Sequence, residues 1–207
     1  MNNEVYHDHS VINWTLDHCK ILHLGLSNDK GTFVVPVNYG YEETSNGQYV
    51  IFIHGTSNGD KGEALNKQSS ISFEADGGHE VLTYTPPSEG AFGPAFRSVM
   101  GKGQVKKIVD NKEKVHALRT IIHNYVLDIP VALHAETMEN VPVWKISVTD
   151  ITAKIHHPTK EWQTALGIKA PLSKGIHYDT NGAILSTDST NEDNTLDTIS
   201  SASKSAN

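Results

Sequence analysis

The stretch FIHGTSNGDKGEAL, residues 52–65, ends an apolar run with small, polar and flexible residues. This polar segment is longer than the about two to five residues of a tight hairpin loop. The pattern DKGEALNK, residues 60–67, then predicts a short helix, with Asp60 as its N-cap and Glu63 at the spacing of a capping box. A strand, a loop and a helix N-terminus in this order leave room for a ligand between them.

The segments on both sides of this stretch predict β-strands, because β-branched and aromatic residues recur there between turn clusters. Residues 10–19 predict a short helix or an extended lead-in, residues 76–78 a turn, and Asp110 opens an amphipathic helix. Strands and helices do not alternate, which argues against a doubly wound parallel sheet. The sequence therefore predicts a mainly β protein, a closed or nearly closed antiparallel β-barrel with short helices attached. The predicted strands are ILHLGL (21–26), TFVVPVNYGY (32–41), QYVIFI (48–53), SISFEA (70–75), EVLTYT (80–85), AFRSVMGKGQVKKIV (95–109) and VWKISVTDITAKIHH (143–157).

Composition and charge limit the classes of partner. The chain has 207 residues and a net charge of -7, which disfavours nucleic acid and anionic membranes because both require a basic surface. No apolar run reaches the about 20 residues of a membrane helix, and the N-terminus lacks the pattern of a signal peptide. The single cysteine, Cys19, cannot form an internal disulfide. We therefore expect a soluble, cytoplasmic protein.

The chain is predicted to have two parts. Residues 1–170 carry the strand and helix patterns and form one domain. Residues 171–207 form a C-terminal extension, which from about residue 186 onward is rich in Ser, Thr, Asn and Asp. Such a composition cannot offset the entropy of ordering, so this end is predicted to be mostly disordered.

Two features near the opening stretch indicate an anion site and a break in the sheet. Lys61 lies at the start of the predicted helix, where backbone N–H groups and about half a positive charge attract a phosphate. The carboxylate of Asp60 would repel an anion there unless it turns away. Pro36 lies within a predicted strand, and because proline has no N–H to donate, it belongs at an edge, a bulge or a place where the sheet opens.

Five segments follow one another with compact spacing: VPVNYGY, IFIHGTSNGDKGEAL, ISFEA, FRSVMGKGQV and DNKEKVHAL. Their order resembles that of the FMN-binding split β-barrel proteins related to pyridoxamine 5′-phosphate oxidase, in the branch that contains the nitroimidazole-resistance (Nim-like) proteins. The resemblance spans roughly residues 10–155. It implies an antiparallel split β-barrel of the FMN-binding type, assembled as a homodimer with two FMN sites between the subunits.

The resemblance also implies roles for particular residues. Val35-Pro36-Val37-Asn38-Tyr39 would lie along the flavin ring, and His54-Gly55-Thr56 beside the ribityl chain and phosphate. Lys61 would neutralise the phosphate, and Arg97-Ser98-Val99 would reach the edge of the cofactor. Gly62 stands where the family has a bulkier residue, which predicts a looser helical turn.

The function implied by the resemblance is that of an FMN-dependent oxidoreductase. A reduced nicotinamide, NADH or NADPH, would pass hydride to the flavin, which then reduces a small organic acceptor, with nitro compounds as one class. Because the cofactor carries the chemistry, no acid–base pair is required, and His54 is the candidate catalytic residue on the substrate side. Two alternatives stay open: a flavin carrier or sensor without turnover, and a split barrel that binds haem in the same groove.

The twelve histidines do not form a recognised metal motif. The densest pairs are His7-Asp8-His9 and His156-His157, and neither Cys-x-x-Cys nor His-Glu-x-x-His occurs. We therefore expect no native metal site. The absence of Gly-x-Ser-x-Gly also argues against a serine hydrolase of that type.

Overall fold

The computed structural model describes residues 5–83, 92–126, 131–156, 176–178 and 184–187, with burial of the side chains assigned except at 78–83, 92–95, 176–178 and 184–187. A short 3-10 turn covers Ala135–Thr137. The strands and α-helices in chain order are β1 (Val5–Tyr6), α1 (His9–His18), β2 (Leu22–Asn28), β3 (Gly31–Val37), β4 (Tyr39–Glu43), β5 (Tyr49–His54), α2 (Asp60–Lys67), β6 (Ser70–Thr83), β7 (Phe92–Lys107), α3 (Asn111–His123), β8 (Val143–His156), β9 (Ile176–Tyr178) and β10 (Ile184–Thr187).

These strands form one antiparallel sheet. Its main path runs β3-β2-β6-β7-β8-β5-β4, with β1 paired to β8. β9 pairs with the end of β6, and β10 pairs with β9. The prediction of a mainly β, antiparallel barrel with short attached helices is confirmed. No helix among the described residues is long and apolar enough to cross a membrane.

The sheet opens between β3 and β4. In the described part of the chain β3 pairs only with β2, and β4 only with β5, so the two ends of the sheet are joined through Asn38 alone. The single strand predicted for residues 32–41 is therefore wrong, because the chain leaves one ladder and enters the other at Asn38. Pro36 lies on the edge strand β3, which confirms that it marks an edge beside an opening of the sheet.

Apolar side chains pack on both faces of this sheet. The larger core fills the barrel, and its fully buried members include Leu22, Leu24, Ile51, Trp144 and Ile146. A second core lies under α3 and contains Phe52, Ile108, Val115, Leu118, Ile121 and Val143. Because alternate residues of β5 and β8 enter different cores, these two strands are covered on both sides.

Gly40 allows α3 to lie directly on β4. A Cβ built on Gly40 would lie 2.5 Å from the backbone nitrogen of Ile121 and from the carbonyl carbon and oxygen of Thr120. Only a residue without a side chain permits such a close approach of two main chains. The start of α3 follows the prediction, since Asp110 Oδ1 accepts a hydrogen bond from the backbone N–H of Glu113 at 2.8 Å.

The turn predicted at residues 76–78 is wrong. Residues 70–83 form the continuous strand β6, whose ladder with β7 shifts register between Gly77 and Glu80. The irregularity absorbs the glycines without ending the strand. In the predicted C-terminal extension, β9 and β10 join the sheet, and the disordered tail predicted from about residue 186 falls on residues 188–207, which lie outside the described residues.

Candidate functional site

β4 and β5 bring the opening of the sheet and the polar loop to the same place. Tyr39 pairs with Ile53 in the β4–β5 ladder. Asn38 and His54 come next on their strands, so both stand where this ladder ends. The register thus places the break after β3 beside the loop that begins at Gly55.

The ammonium group of Lys61 lies against the main chain of Gly55. A Cβ built on Gly55 would lie 2.3 Å from Lys61 Nζ and 3.2 Å from its Cε, so the glycine gives the lysine room to lie on the loop. The N–H of Gly55 donates to the carbonyl of Pro142 at 3.3 Å, which fixes the loop on the chain just before β8. None of the carboxylates in the described ranges forms an ion pair with Lys61.

Asp60 does not cap α2, contrary to the prediction. The N-cap is Gly59, whose φ of 87° lies in the left-handed region that glycine adopts without strain. The Asp60 carboxylate instead accepts a hydrogen bond from Lys30 Nζ at 2.8 Å, at the turn between β2 and β3. This pairing offsets the negative charge that would otherwise oppose an anion beside Lys61.

Gly62 brings the first turn of α2 onto the same loop. A Cβ at this position would lie 2.3 Å from the Ser57 carbonyl oxygen and 2.7 Å from that of Thr56. The expectation that Gly62 loosens the helix is therefore wrong, because the missing side chain is what lets helix and loop pack. Trp144 anchors the other end of α2 by donating its indole N–H to Asn66 Oδ1 at 3.2 Å.

The surroundings of the His54 imidazole favour its neutral form over its charged form. Loss of surrounding water at the end of β5 lowers the pKa of His54, and the positive charge of Lys61 lowers it further. A neutral imidazole can both donate and accept a hydrogen bond. His54 can therefore contact a polar ligand without a charge of its own.

The five residues 35–39 divide between the two faces of the sheet. Pro36 and Asn38 are exposed and stand on the outer face, whereas Val35 is half-buried and Val37 is 7% exposed on the barrel side. A ligand lying along β3 from outside would therefore touch Pro36 and Asn38 and meet the others through the main chain.

Tyr39 belongs to the core and not to this outer surface. Its hydroxyl lies 2.7 Å from the carbonyl oxygens of both Leu16 and Cys19, at the end of α1. Its N–H donates to the Tyr125 hydroxyl at 3.2 Å, and its carbonyl accepts from the Asn124 amide at 3.0 Å. These contacts leave Tyr39 the role of joining β4 to α1 and α3.

A second lysine, which the sequence pattern did not indicate, reaches the loop. Lys107 Nζ lies 3.5 Å from Ser57 Oγ. Lys107 is the last residue of β7 and has the same parity as buried Val105, so it extends the barrel-facing row at the rim. A lysine at a core-facing position of a strand was the available signal, but the sequence does not show which loop it meets.

Arg97, Ser98 and Val99 lie elsewhere in the chain. The Arg97 guanidinium is 5.3 Å from the centre of the Trp14 ring, and its Nη2 donates to the His18 carbonyl at 3.4 Å, so it faces α1. Val99 is fully buried and Ser98 is 9% exposed on the opposite face of β7. Arg97 and Lys107 are ten positions apart on β7, about 33 Å along an extended strand. One chain does not bring the Arg97 segment to Lys61.

One group of side chains among the described residues has the spacing of metal ligands. His23, Glu74 and Asp76 place one ligand atom each within 4.8 Å of one another, on the outer face of β2 and β6. His23 Nδ1 and Glu74 Oε2 are 3.2 Å apart. The group is half-exposed and distinct from the two dense histidine pairs noted in the sequence.

Comparison with known proteins gives a family and a set of similar folds. A family model described as pyridoxamine 5′-phosphate oxidase matches residues 8–155. A putative 5-nitroimidazole antibiotic resistance protein from Bacteroides thetaiotaomicron is similar at 28% identity, over 73% of this chain and 86% of that one, with a TM-score of 0.62. No curated protein matches the chain.

Two further solved structures share the fold at lower identity. The flavocytochrome Anf3 from Azotobacter vinelandii is 20% identical over 92% of this chain and 83% of that one, with a TM-score of 0.61. An FAD and haem binding protein from Mycobacterium smegmatis is 14% identical over 82% and 88%, with a TM-score of 0.60.

Proposed function

This chain belongs to the pyridoxamine 5′-phosphate oxidase family of split β-barrels, and on that basis we propose that it binds FMN and acts as a flavin-dependent oxidoreductase. One observation carries the proposal: the Lys61 ammonium lies on the Gly55 main chain, beside His54 and the opening of the sheet. The pairing of Asp60 with Lys30 leaves that ammonium without a competing carboxylate in the described part of the chain.

The phosphate of FMN would bind at the loop between β5 and α2. Lys61 supplies a positive charge, and the hydroxyls of Thr56 and Ser57 stand on the same short loop. Nothing lies within 4 Å of the position that a Cβ on Gly59 would take, so a ligand can approach the main chain there. Charge-assisted hydrogen bonds from an ammonium group to phosphate are among the stronger polar contacts in proteins.

The flavin ring would lie along the outer face of β3 and of the break at Asn38. Pro36 has no N–H that would need a partner strand, so the free edge of β3 can be covered by a planar ring without leaving an unpaired donor at this position. When bound, the flavin would supply the transfer of hydride from a reduced nicotinamide and of electrons to an organic acceptor.

His54 is the proposed residue on the substrate side. Its lowered pKa keeps the ring neutral near pH 7, so that it can donate a hydrogen bond to a polar acceptor. The positive charge beside the ligand then comes from Lys61. The similarity to a putative 5-nitroimidazole antibiotic resistance protein supports a nitro compound as the acceptor.

We also propose that the site is completed by a second copy of the chain. The Arg97 segment and the Lys61 loop stand at opposite ends of β7 within one chain. The outer face between them carries exposed apolar side chains, with Val34 65% and Met100 59% exposed. A homodimer would cover this face and bring Ser98 of one chain towards the flavin held by the other.

Purified protein tests the proposal directly. We expect a yellow protein that releases FMN on denaturation, identified by mass spectrometry, and whose flavin absorbance is bleached by NADH or NADPH without oxygen. Restoration of the absorbance by a nitroaromatic compound would support the acceptor. A yellow protein that neither nicotinamide bleaches would indicate a carrier or sensor. A Soret band would favour haem. Haem is the second candidate because the proteins of similar fold include a flavocytochrome and an FAD and haem binding protein.

Charge reversal at Lys61 tests the phosphate contact. We expect Lys61→Glu to weaken FMN binding by at least ~2 kcal/mol, because a charge-assisted hydrogen bond is replaced by repulsion. Lys67→Glu makes the same change in the last turn of α2, at an exposed position, and should leave FMN affinity unchanged. Equal affinity of Lys61→Glu and the unmodified protein in a fluorescence titration would remove Lys61 from the site.

A further inference from the structure

Lys107 reaches the Gly55–Ser57 loop from the end of β7. Its ammonium is 3.5 Å from Ser57 Oγ, whereas the Lys61 ammonium lies on Gly55 two residues earlier. The two lysines come from different parts of the chain, the end of β7 and the start of α2. The β7–β8 ladder fixes the position of Lys107 by pairing it with fully buried Trp144.

The charges around this loop are positive and unbalanced in the described part of the chain. The lysines that do form ion pairs there are Lys30 with Asp60 and Lys145 with Glu113, at 2.8 Å and 2.6 Å. Neither Lys61 nor Lys107 is in such a pair. Two ammonium groups directed at one short loop repel each other unless an anion lies between them.

We propose that Lys107 is a second phosphate-binding residue, and that Lys61 and Lys107 together make the site select phosphorylated flavins over riboflavin. This inference rests on the proposed function, since it concerns the same loop. The Ser57 hydroxyl, now 3.5 Å from Lys107, would turn to donate to the phosphate once the lysine engages it. A phosphate bound by both lysines gains a contact that a single lysine cannot provide.

The neighbouring lysine supplies a matched control. Lys106 precedes Lys107 on the same strand and is also exposed. Its side chain is directed to the opposite face, and it pairs in register with Lys145. Lys107→Gln and Lys106→Gln therefore each remove one positive charge from adjacent positions at the end of β7. Only the first removes it from the loop.

The test measures the Kd values of the full-length protein for FMN and for riboflavin by titration. Any ligand that copurifies is removed first. Lys107→Gln should raise the Kd for FMN about tenfold and leave the Kd for riboflavin within about twofold, as expected for one lost charge-assisted contact. Lys106→Gln should change neither value. A thermal midpoint equal to that of the unmodified protein would show that Lys107→Gln is folded.

An FMN affinity within twofold of the unmodified protein for Lys107→Gln would overturn this inference while leaving the proposed function intact. An equal loss for FMN and riboflavin would also overturn it, because the effect would then not depend on the phosphate. If the unmodified protein itself binds FMN no better than riboflavin, the phosphate site and this inference both fail. We expect the unmodified protein to bind FMN much more tightly than riboflavin, and Lys107→Gln to reduce this difference in affinity.

Discussion

Replacement of Gly62 by alanine gives a prediction whose sign depends on the tertiary structure. Alanine is favoured over glycine inside a helix by about 1 kcal/mol, so the sequence of α2 taken alone predicts that Gly62→Ala stabilises the protein. In the folded chain, however, the new Cβ would lie 2.3 Å from the Ser57 carbonyl oxygen and 2.4 Å from its carbonyl carbon. Both are backbone atoms, so the loop or the helix has to move by about 1 Å to reach ordinary contact.

The expected net effect is a loss of stability. Overpacking costs about 1–3 kcal/mol, and the upper end applies because main-chain atoms are displaced. After the gain in helix propensity, we expect Gly62→Ala to lower the free energy of unfolding by about 2 kcal/mol and the Tm by about 4–8 °C. The displaced loop should also weaken FMN binding.

Urea unfolding followed by tryptophan fluorescence measures this change, since the buried Trp144 donates to Asn66 of α2 and reports on that helix. Gly25→Ala is the control, because its Cβ would meet nothing closer than the Ser72 carbonyl oxygen at 3.6 Å. That variant should change the stability by less than about 0.5 kcal/mol. A Gly62→Ala protein as stable as the unmodified one, or more so, would refute the close packing of α2 on the loop.

Three further predictions concern caps and titrating groups. Asp110→Ala should lose about 1 kcal/mol of stability in urea unfolding, because it removes a helix cap. Asp60→Ala should lose less than about 0.5 kcal/mol, because that side chain forms only an exposed ion pair. Equal losses would contradict the conclusion that Asp110 caps its helix and Asp60 does not. Cys19 should react with a thiol reagent only as fast as the protein unfolds, since burial raises its pKa to about 11, against the opposing charge of Arg97, and fast labelling of the native protein would count against this. The unfolded chain binds a proton at His54 more readily than the folded chain does, because folding lowers the pKa of His54. The free energy of unfolding should therefore fall as the pH drops below 6.5 towards the lowered pKa. In urea unfolding, His54→Gln should show a smaller fall between about pH 7.5 and pH 5.

The features that the sequence predicted correctly depend on neighbours in the chain. Period-two alternation and turn clusters gave the strands and the fold class, and the helix at residues 60–67 has the bounds that its pattern indicated. The Asp110 cap is of the same kind, because the Asp110 carboxylate accepts from the backbone N–H of Glu113, only three residues along the chain. The family resemblance drew on the order of these same local segments.

The features that the sequence missed depend on contacts between distant segments. Asp60 looked like a cap equal to Asp110, but Lys30 on the β2–β3 turn takes its carboxylate and Gly59 begins the helix. The turn predicted after residue 75 is absent because β7 pairs with β6 on both sides of the register shift between Gly77 and Glu80. In each case a partner remote in sequence outweighs a local preference worth about 1 kcal/mol.

By itself the sequence determined that this protein is an antiparallel barrel with a polar loop and a lysine after its third predicted strand. It marked Pro36 as a place where the sheet ends, since proline lacks the donor that a central strand requires. Register and packing decided the rest: that Asn38 is the gap, that His54 and Lys61 share its edge, that Lys107 faces the same loop, and that Arg97 faces α1 instead. Local composition fixes how each segment is built, but the free energy that selects its neighbours comes from surfaces buried between segments far apart in the chain.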